Sequence, residues 1–257
     1  MDIRAVVFDV NGTLVKIRTE DGRRQIFRAA AHFLTYQGID LHGDEVQDLY
    51  VGIMKKQLRS SPQRYPEYDA VDIWRTIIDA HRTEFTDTLP REKLEQMPLF
   101  LAEMTRGISR RRLGLYPHTR QVLDVLRESY PLAIVSDAQS AYVRGELHKV
   151  GLLDYFNPIV ISGDHGFCKP DPRLFHLALD QMGVTGEQAL FVGDNLDRDI
   201  IGARQVGMTT VLFNPPPGLA LQQESTPHHT ITNLRELLTI LPPRARPHGP
   251  RPADATA

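Results

Sequence analysis

The chain of 257 residues has a single cysteine, Cys168, and no long run of uncharged apolar residues. One cysteine excludes an intrachain disulfide and fits a reducing compartment, so we expect a cytoplasmic protein. A membrane-spanning helix needs roughly 18 or more predominantly apolar residues in a row, so we expect no membrane segment. The apolar run at the N-terminus is broken by Asp9, which is too early for a signal peptide.

Motifs of several common enzyme classes are missing as well. No Gly-Lys pair occurs, which excludes a P-loop, and neither the His-Glu-x-x-His motif of zinc peptidases nor the Gly-x-Ser-x-Gly motif of serine hydrolases occurs. Basic and acidic residues nearly balance, and the formal net charge is -2. Charge therefore gives no reason to expect nucleic acid or an anionic membrane as a partner.

What the chain does contain is an alternation of short apolar runs with helical patterns. The first run covers residues 3–10 and is continuous from Ala5 to Phe8, which is typical of a strand buried on both faces in a parallel sheet. Similar runs occupy residues 132–135, 159–161, 189–192 and 210–213. Helical spacing recurs between them, and Asp171 before Pro172 indicates a helix N-terminus. The alternation predicts an α/β fold with a doubly wound, Rossmann-like parallel sheet, whose ligands bind beyond the carboxyl ends of the strands.

Residues 16–113 break this alternation and carry only helical patterns, one of them interrupted by Pro98. We therefore predict an α/β core formed by residues 1–15 and 114–241, with residues 16–113 inserted as a mobile, all-helical cap. Residues 242–257 mix proline, arginine and alanine without periodicity, which predicts a disordered tail.

Polar residues follow the ends of four predicted strands. The segments are Asp9-Val-Asn-Gly-Thr-Leu14, Ser136-Asp137, Lys169-Pro170 and Gly193-Asp-Asn-Leu-Asp-Arg-Asp199. In a doubly wound sheet these ends meet at one cleft. Together they offer two carboxylates for a hard cation such as Mg²⁺, a hydroxyl and an ammonium for phosphate oxygens, and a flexible turn at Gly12. Phosphoryl transfer requires positioning and charge neutralisation, which these groups can supply.

These four motifs, in this order and spacing, resemble the haloacid dehalogenase superfamily, in its branch with a helical cap after the first strand. The resemblance implies that Asp9 is a nucleophile that forms an aspartyl-phosphate. It implies that Ser136 and Lys169 bind the transferring phosphoryl group, and that Asp194 binds Mg²⁺. Asp9 and the backbone carbonyl of Asn11 would complete the protein ligands of that ion, while Asp199 would orient a metal-bound water or hold Lys169 in place.

Asn11 departs from the phosphatases of this superfamily, which usually carry a second aspartate at that position as general acid and base. An amide can offer its backbone carbonyl to a metal but cannot transfer a proton. Three interpretations remain open. The substrate could have a weakly basic leaving group, another residue such as His118 or His165 could supply the proton, or the site could bind phosphate with little or no activity.

The resemblance implies a Mg²⁺-dependent phosphohydrolase that acts on a small phosphorylated metabolite. One alternative is a 2-haloacid dehalogenase, in which Asp9 would attack carbon without a metal; Asp194 argues against it. A second alternative is a noncatalytic protein that binds a phosphate ligand. Lys16, Arg18 and His118 are candidates for substrate contact, and the protein is expected to be a monomer or a homodimer.

Overall fold

The computed structural model describes residues 2–219 and 226–242. Within them, six parallel strands form one sheet: β1 (Ala5–Phe8), β4 (Leu132–Ser136), β5 (Ile159–Ile161), β6 (Ala189–Gly193), β7 (Thr209–Phe213) and β8 (His229–Ile231). Their order across the sheet is β5-β4-β1-β6-β7-β8. The chain adds β4 and β5 on one side of β1 and then β6 to β8 on the other side. The order therefore reverses at β1, and a cleft opens there at the carboxyl ends of the strands.

Both faces of the sheet are buried, as the continuous apolar runs predict. Side chains alternate along a strand, so Val6 and Phe8 join the hydrophobic cluster on one face while Ala5 and Val7 join the cluster on the other. The central strands β4 and β6 divide their side chains in the same way. The helices that cover the two faces are α6 (Thr119–Leu126), α7 (Ser140–Lys149), α8 (Pro172–Met182), α9 (Ile201–Gln205) and α10 (Leu237–Ile240). The predicted doubly wound α/β fold is confirmed.

Helices dominate the segment between β1 and α6. They are α1 (Arg24–Thr35), α2 (Gly43–Ser60), α3 (Ala70–Ala80), α4 (Glu84–Asp87) and α5 (Arg91–Ser109). Their apolar side chains form a separate hydrophobic cluster that includes Trp74, Ile77 and Leu101, all fully buried. Pro98 does not end α5, which continues through it. The boundaries of core and cap at residues 15 and 114 remain a prediction.

One feature of the inserted segment differs from the prediction of helices throughout residues 16–113. Its two ends are strands, β2 (Val15–Thr19) and β3 (Arg110–Leu115), which pair antiparallel. Val15 and Ile17 alternate with the exposed residues Lys16 and Arg18, so one face of this ribbon packs on the core and the other faces solvent. The two strands are short, so their alternation of buried and exposed residues is hard to recognise in the sequence beside the longer helical patterns.

The cap contacts the core beside the predicted site. The amide of Cys168 donates to the carbonyl of Tyr65 (2.8 Å), and the amide of Glu67 donates to the carbonyl of Gly166 (3.0 Å). In the part of the chain that the structure describes, no helix is long and apolar enough to cross a membrane. The predicted disordered tail lies, from residue 243 onward, outside the described residues.

Candidate active site

Asp9 directly follows β1 at the point where the strand order reverses. Its amide donates to the carbonyl of Val192 on β6 (2.9 Å), which continues the ladder between the two strands. The residue is only 5% exposed. Burial raises the pKa of the Asp9 carboxyl to about 7, although the Lys169 ammonium opposes the shift.

The loop after Asp9 turns back tightly to enter β2. The carbonyl of Val10 accepts from the amides of Leu14 and Val15, and the amide of Gly12 donates to the carbonyl of Val15. Gly12 has a φ of +93°, which residues with a β-carbon rarely adopt. The hydroxyl of Thr13 lies 3.3 Å from Asp9 Oδ2 and 3.4 Å from Asp194 Oδ1, so this turn positions both carboxylates.

Lys169 lies between two buried carboxylates. Its Nζ donates to Asp9 Oδ1 at 2.7 Å and to Asp199 Oδ1 at 2.6 Å, and the residue is only 3% exposed. Burial alone would lower the pKa of the Lys169 ammonium, but Asp199 and Asp9 outweigh it and hold the pKa above its ordinary value. The backbone amide of Lys169 donates to Asp137 Oδ1 (2.8 Å), which holds the backbone of Lys169 against the loop after β4. Lys169 is therefore a permanent positive charge beside Asp9.

Asp194 and Asp199 complete the acidic cluster. One ligand oxygen from each of Asp9, Asp194 and Asp199 lies within 4.8 Å of the other two. Asp199 Oδ2 also accepts from the amide of Asn195 (3.0 Å), so both of its oxygens already have partners in the protein. Burial, followed by the charge of Asp199, raises the pKa of Asp194.

The donor set fits a hard divalent cation. Carboxylate oxygens are the preferred ligands of such ions, and one lysine leaves the three clustered carboxylates with excess negative charge. Because Asp199 is committed to Lys169 and Asn195, the pair Asp9 and Asp194 remains available for a metal. Asn11 lies in the same turn, half-buried, next to Gly12.

Ser136 is the last residue of β4, the strand beside β1. Its Oγ is buried, and among the described residues no group forms a hydrogen bond with it. A buried hydroxyl without a partner is costly in a native structure unless a ligand or water occupies the adjoining space. Because β4 lies beside β1, Ser136 and Asp9 lie at the same carboxyl end of the sheet.

Of the three candidate substrate residues, Lys16 and Arg18 lie in β2, and His118 directly precedes α6. Lys16 is exposed, with its ammonium 5.9 Å from the ring centroid of Tyr116, and Arg18 Nη2 lies 3.7 Å from Glu20 Oε1. His118 occupies the left-handed region (φ 67°) before α6 and is half-buried. None of the contacts found among the described residues joins them to Asp9, Lys169 or Asp194, so their role remains a prediction.

Two neighbours of the site, Tyr116 and Arg198, are not among the predicted site residues. Tyr116 is close enough to Asp194 for that carboxylate, together with burial as the larger cause, to raise the pKa of its phenol. Arg198 Nη1 lies 3.6 Å from Asp137 Oδ2, while the side chain is half exposed. No motif contains Tyr116. Arg198 lies in the segment 193–199, but its approach to Asp137 depends on how two separate loops fold together.

The family model of haloacid dehalogenase-like hydrolases matches residues 3–207, which span all four motifs. The chain belongs to this family. The strand order places residues 9, 136 and 194 at the carboxyl ends of neighbouring strands, and Lys169 reaches the same place through its contact with Asp9.

Several known proteins are similar to the chain over different extents. A phosphoserine phosphatase of Thermus thermophilus is 35% identical over 60% of this chain, and the match covers 64% of that protein, less than two thirds. A glyceraldehyde 3-phosphate phosphatase of Methanopyrus kandleri is 28% identical over 93% of this chain and 97% of that protein. The solved structure of a 2-haloacid dehalogenase from Pseudomonas syringae superposes with a TM-score of 0.64 at 21% identity, covering 93% of this chain and 98% of that one. At 21% identity, the similarity to the dehalogenase structure supports only the fold.

Proposed function

We propose that this chain is a Mg²⁺-dependent phosphohydrolase that acts on a small phosphorylated metabolite through an aspartyl-phosphate on Asp9. The observation that carries the proposal is the pairing of Asp9 with Lys169 inside a cluster that also contains Asp194. Two phosphatases among the similar proteins support the same reaction class. We also propose a cytoplasmic location, because the lone cysteine needs no oxidising compartment.

In the first half-reaction a carboxylate oxygen of Asp9 attacks phosphorus, and the bond from phosphorus to the leaving oxygen breaks. The Lys169 ammonium offsets negative charge on Asp9 and on the transferring group, while the Ser136 hydroxyl donates to a phosphoryl oxygen. In the second half-reaction a water oxygen attacks phosphorus and loses a proton to solvent, the bond from phosphorus to the Asp9 oxygen breaks, phosphate departs, and the Asp9 carboxylate is restored. Asp9, Asp194 and the carbonyl of Asn11 would hold Mg²⁺, which supplies charge neutralisation for the phosphoryl oxygens.

The leaving oxygen requires a proton unless it is a weak base, and Asn11 cannot provide one. We propose that the enzyme acts best on substrates with a weakly basic leaving group, such as an acyl phosphate or a phosphoanhydride. Neither His118 nor His165 forms a hydrogen bond with the acidic cluster in the described residues, which supports this interpretation over a replacement proton donor.

Carbon–halogen hydrolysis is the second candidate, because the fold is shared with a 2-haloacid dehalogenase. That reaction requires no metal, and a charged Asp194 beside Asp9 has no role in it. The retained acidic cluster therefore favours phosphoryl transfer.

The test compares release of phosphate from p-nitrophenyl phosphate with release of halide from 2-chloropropionate. We expect phosphate release that depends on Mg²⁺ and is abolished in Asp9→Asn. Halide release without added metal would instead establish the dehalogenase. If neither product forms while Mg²⁺ and phosphate together raise the melting temperature, the chain is a phosphate-binding protein.

A further inference from the structure

A loop of the cap, residues 61–69 between α2 and α3, lies against the core next to Lys169. Pro66 forms an antiparallel bridge with buried Phe167, flanked by the two backbone hydrogen bonds that join the cap to the core. Lys169 follows Phe167 by two residues. The backbone of the segment that carries Lys169 is therefore held by the cap on one side and by Asp137 on the other.

The half-buried side chain of Glu67 extends this contact into the core. Its Oε2 accepts from the hydroxyl of Ser162 (2.7 Å), which follows β5, and its Oε1 accepts from the side-chain amide of Gln139 (3.2 Å), which lies in the loop after β4. Both donors are buried. Gln139 also donates to the carbonyl of Tyr68 (2.7 Å) and accepts from the amide of Ala70 (2.9 Å). A single cap carboxylate thus links the loops that follow two core strands.

Ser162 connects the Glu67 carboxylate to the backbone of the loop after β4. Its hydroxyl donates to Glu67 and accepts from the amide of Ala138 (3.0 Å). Ala138 directly follows Asp137, whose carboxylate accepts from the amide of Lys169. Hydrogen bonds that start at one cap side chain therefore reach the loop that begins after β4 and, through that loop, the backbone of Lys169.

The charge of Glu67 strengthens these contacts at a cost in stability. Its donors in the described residues, a hydroxyl, a side-chain amide and a backbone amide, are all neutral. Burial raises the pKa of the Glu67 carboxyl, although the hydrogen bond from Ser162 opposes the shift. A charged acceptor forms stronger hydrogen bonds than a neutral one, so the two loops are held more firmly than a glutamine would hold them.

A second contact between cap and core offers a comparison. Arg106 of α5 donates through Nε and Nη2 to the two carboxylate oxygens of buried Glu146 on α7 (2.8 and 3.2 Å), and Arg110 Nη1 lies 3.5 Å from Glu146 Oε1. Both arginines lie outside the loops that carry Ser136 and Lys169. Glu146 therefore attaches the cap to the core at a place separate from those loops.

We propose that Glu67 is a positioning residue of the active site. Through Ser162 and Gln139 it holds the segments of Ser136 and Lys169 in the arrangement that binds the transferring phosphoryl group. This role rests on the proposed phosphohydrolase function and gives a cap residue a part in the geometry of the core. Glu67 acts through the two loops, and not by contact with the substrate.

Steady-state hydrolysis of p-nitrophenyl phosphate with Mg²⁺ tests this role. We expect Glu67→Gln to lower kcat roughly tenfold or more and to change KM less than about threefold, because misplaced donors lose most of their interaction with the charge that develops during transfer. The matched control is Glu146→Gln, which should lower the melting temperature but leave kcat close to that of the wild type. Equal losses of kcat in both variants would show that only attachment of the cap matters, and would overturn the positioning role.

A double-mutant cycle tests whether Glu67 acts through Ser162. Ser162→Ala should lower kcat by a factor similar to that of Glu67→Gln. The combined variant should lose no more activity than the weaker single variant, because both substitutions break the same connection. Fully additive losses would show two independent contributions and would overturn the role assigned to Glu67.

Hydrogen exchange in the metal-free protein separates the positioning role from the proposed function. Relative to the amide of Val6 in β1, we expect Glu67→Gln to speed exchange at the amides of Ala138 and Lys169 roughly tenfold, and Glu146→Gln to change neither ratio. This result without any hydrolysis by the wild type would support the positioning of the loops and overturn the phosphohydrolase. Hydrolysis with unchanged exchange and unchanged kcat in Glu67→Gln would overturn the positioning role and leave the phosphohydrolase intact.

Discussion

Gly12 lies directly against the carboxylate of Asp194, at the contact between the nucleophile loop and the loop after β6. A β-carbon built on Gly12 would lie 2.2 Å from Asp194 Oδ2, well inside van der Waals contact. The positive φ of Gly12 disfavours a side chain independently. Gly12 therefore has two roles. It forms the turn after Asp9, and its missing side chain leaves the space that the Asp194 carboxylate occupies beside Asp9.

Gly12→Ala is expected to lower the free energy of unfolding by about 1–3 kcal/mol through backbone strain, and to weaken Mg²⁺ binding by displacing Asp194. Urea unfolding and a Mg²⁺ titration followed by melting temperature measure the two effects. Gly107→Ala is the matched control. It lies in α5 with nothing within 4 Å of the added carbon, so stability should rise by up to about 1 kcal/mol. Unchanged Mg²⁺ affinity in Gly12→Ala would contradict a metal site at Asp194.

Asp199→Asn should reduce kcat by roughly 10–100-fold, because it removes the charge that holds Lys169 in place. Steady-state kinetics with p-nitrophenyl phosphate and Mg²⁺ measure the effect. The matched control is Asp197→Asn, an exposed carboxylate in the same loop, for which we expect activity close to that of the wild type. Equal losses in both variants would show that loop charge as a whole matters, and not the contact with Lys169.

Asn11→Asp should raise kcat for alkyl phosphates by roughly 10²–10⁴-fold, because it would provide the missing general acid. The gain should be small for p-nitrophenyl phosphate, whose leaving group needs no proton. Comparison of the two substrate classes in one variant controls for changes in folding or metal binding. A uniform loss on both classes would show that the site is built around the amide.

Asp9→Asn is expected to stabilise the metal-free protein above neutral pH. The pKa of Asp9 in the folded state is raised to about 7, so folded protein binds this proton more tightly than unfolded chain does. The contribution of Asp9 to stability therefore falls as pH rises from about 4 to about 7 and then levels off. With EDTA present, the advantage of the variant over the wild type should grow by up to about 4 kcal/mol between pH 4 and pH 8, since each of the roughly three pKa units is worth about 1.4 kcal/mol.

Urea unfolding at pH 4, 6 and 8 measures this difference, which should grow with pH. Other carboxylates with a raised pKa that do not interact with Asp9, such as Glu67, contribute equally to both proteins and cancel in the comparison. Addition of Mg²⁺ should reverse the order, because the cation offsets the buried charge of Asp9. A difference independent of pH would show that the Asp9 carboxyl keeps its ordinary pKa after folding.

Much of the fold could be predicted because it depends on local patterns. The run from Ala5 to Phe8 specifies a strand buried on both faces, and Asp171 followed by Pro172 specifies a helix start, where Asp171 accepts from the amide of Arg173. The ribbon of β2 and β3 escaped prediction because its two strands are separated by the whole cap, and each is too short to be recognised alone.

The candidate site could likewise be predicted only in part. Asp9, Ser136, Lys169 and Asp194 could be identified because each follows a predicted strand and matches a family motif. The hydrogen bonds of Lys169 to both Asp9 and Asp199 and the buried Ser136 hydroxyl without a partner among the described residues could not be identified. They depend on distances between residues far apart in the chain.

The sequence by itself determined the α/β class, the inserted cap and the chemical groups at the strand ends, because hydrophobic period and residue type act over a few neighbouring positions. Only the tertiary structure decided which carboxylates bind Lys169 and how closely Asp194 approaches Gly12. Those properties follow from burial and charge brought together by the strand order, and burial is a property of the folded chain alone.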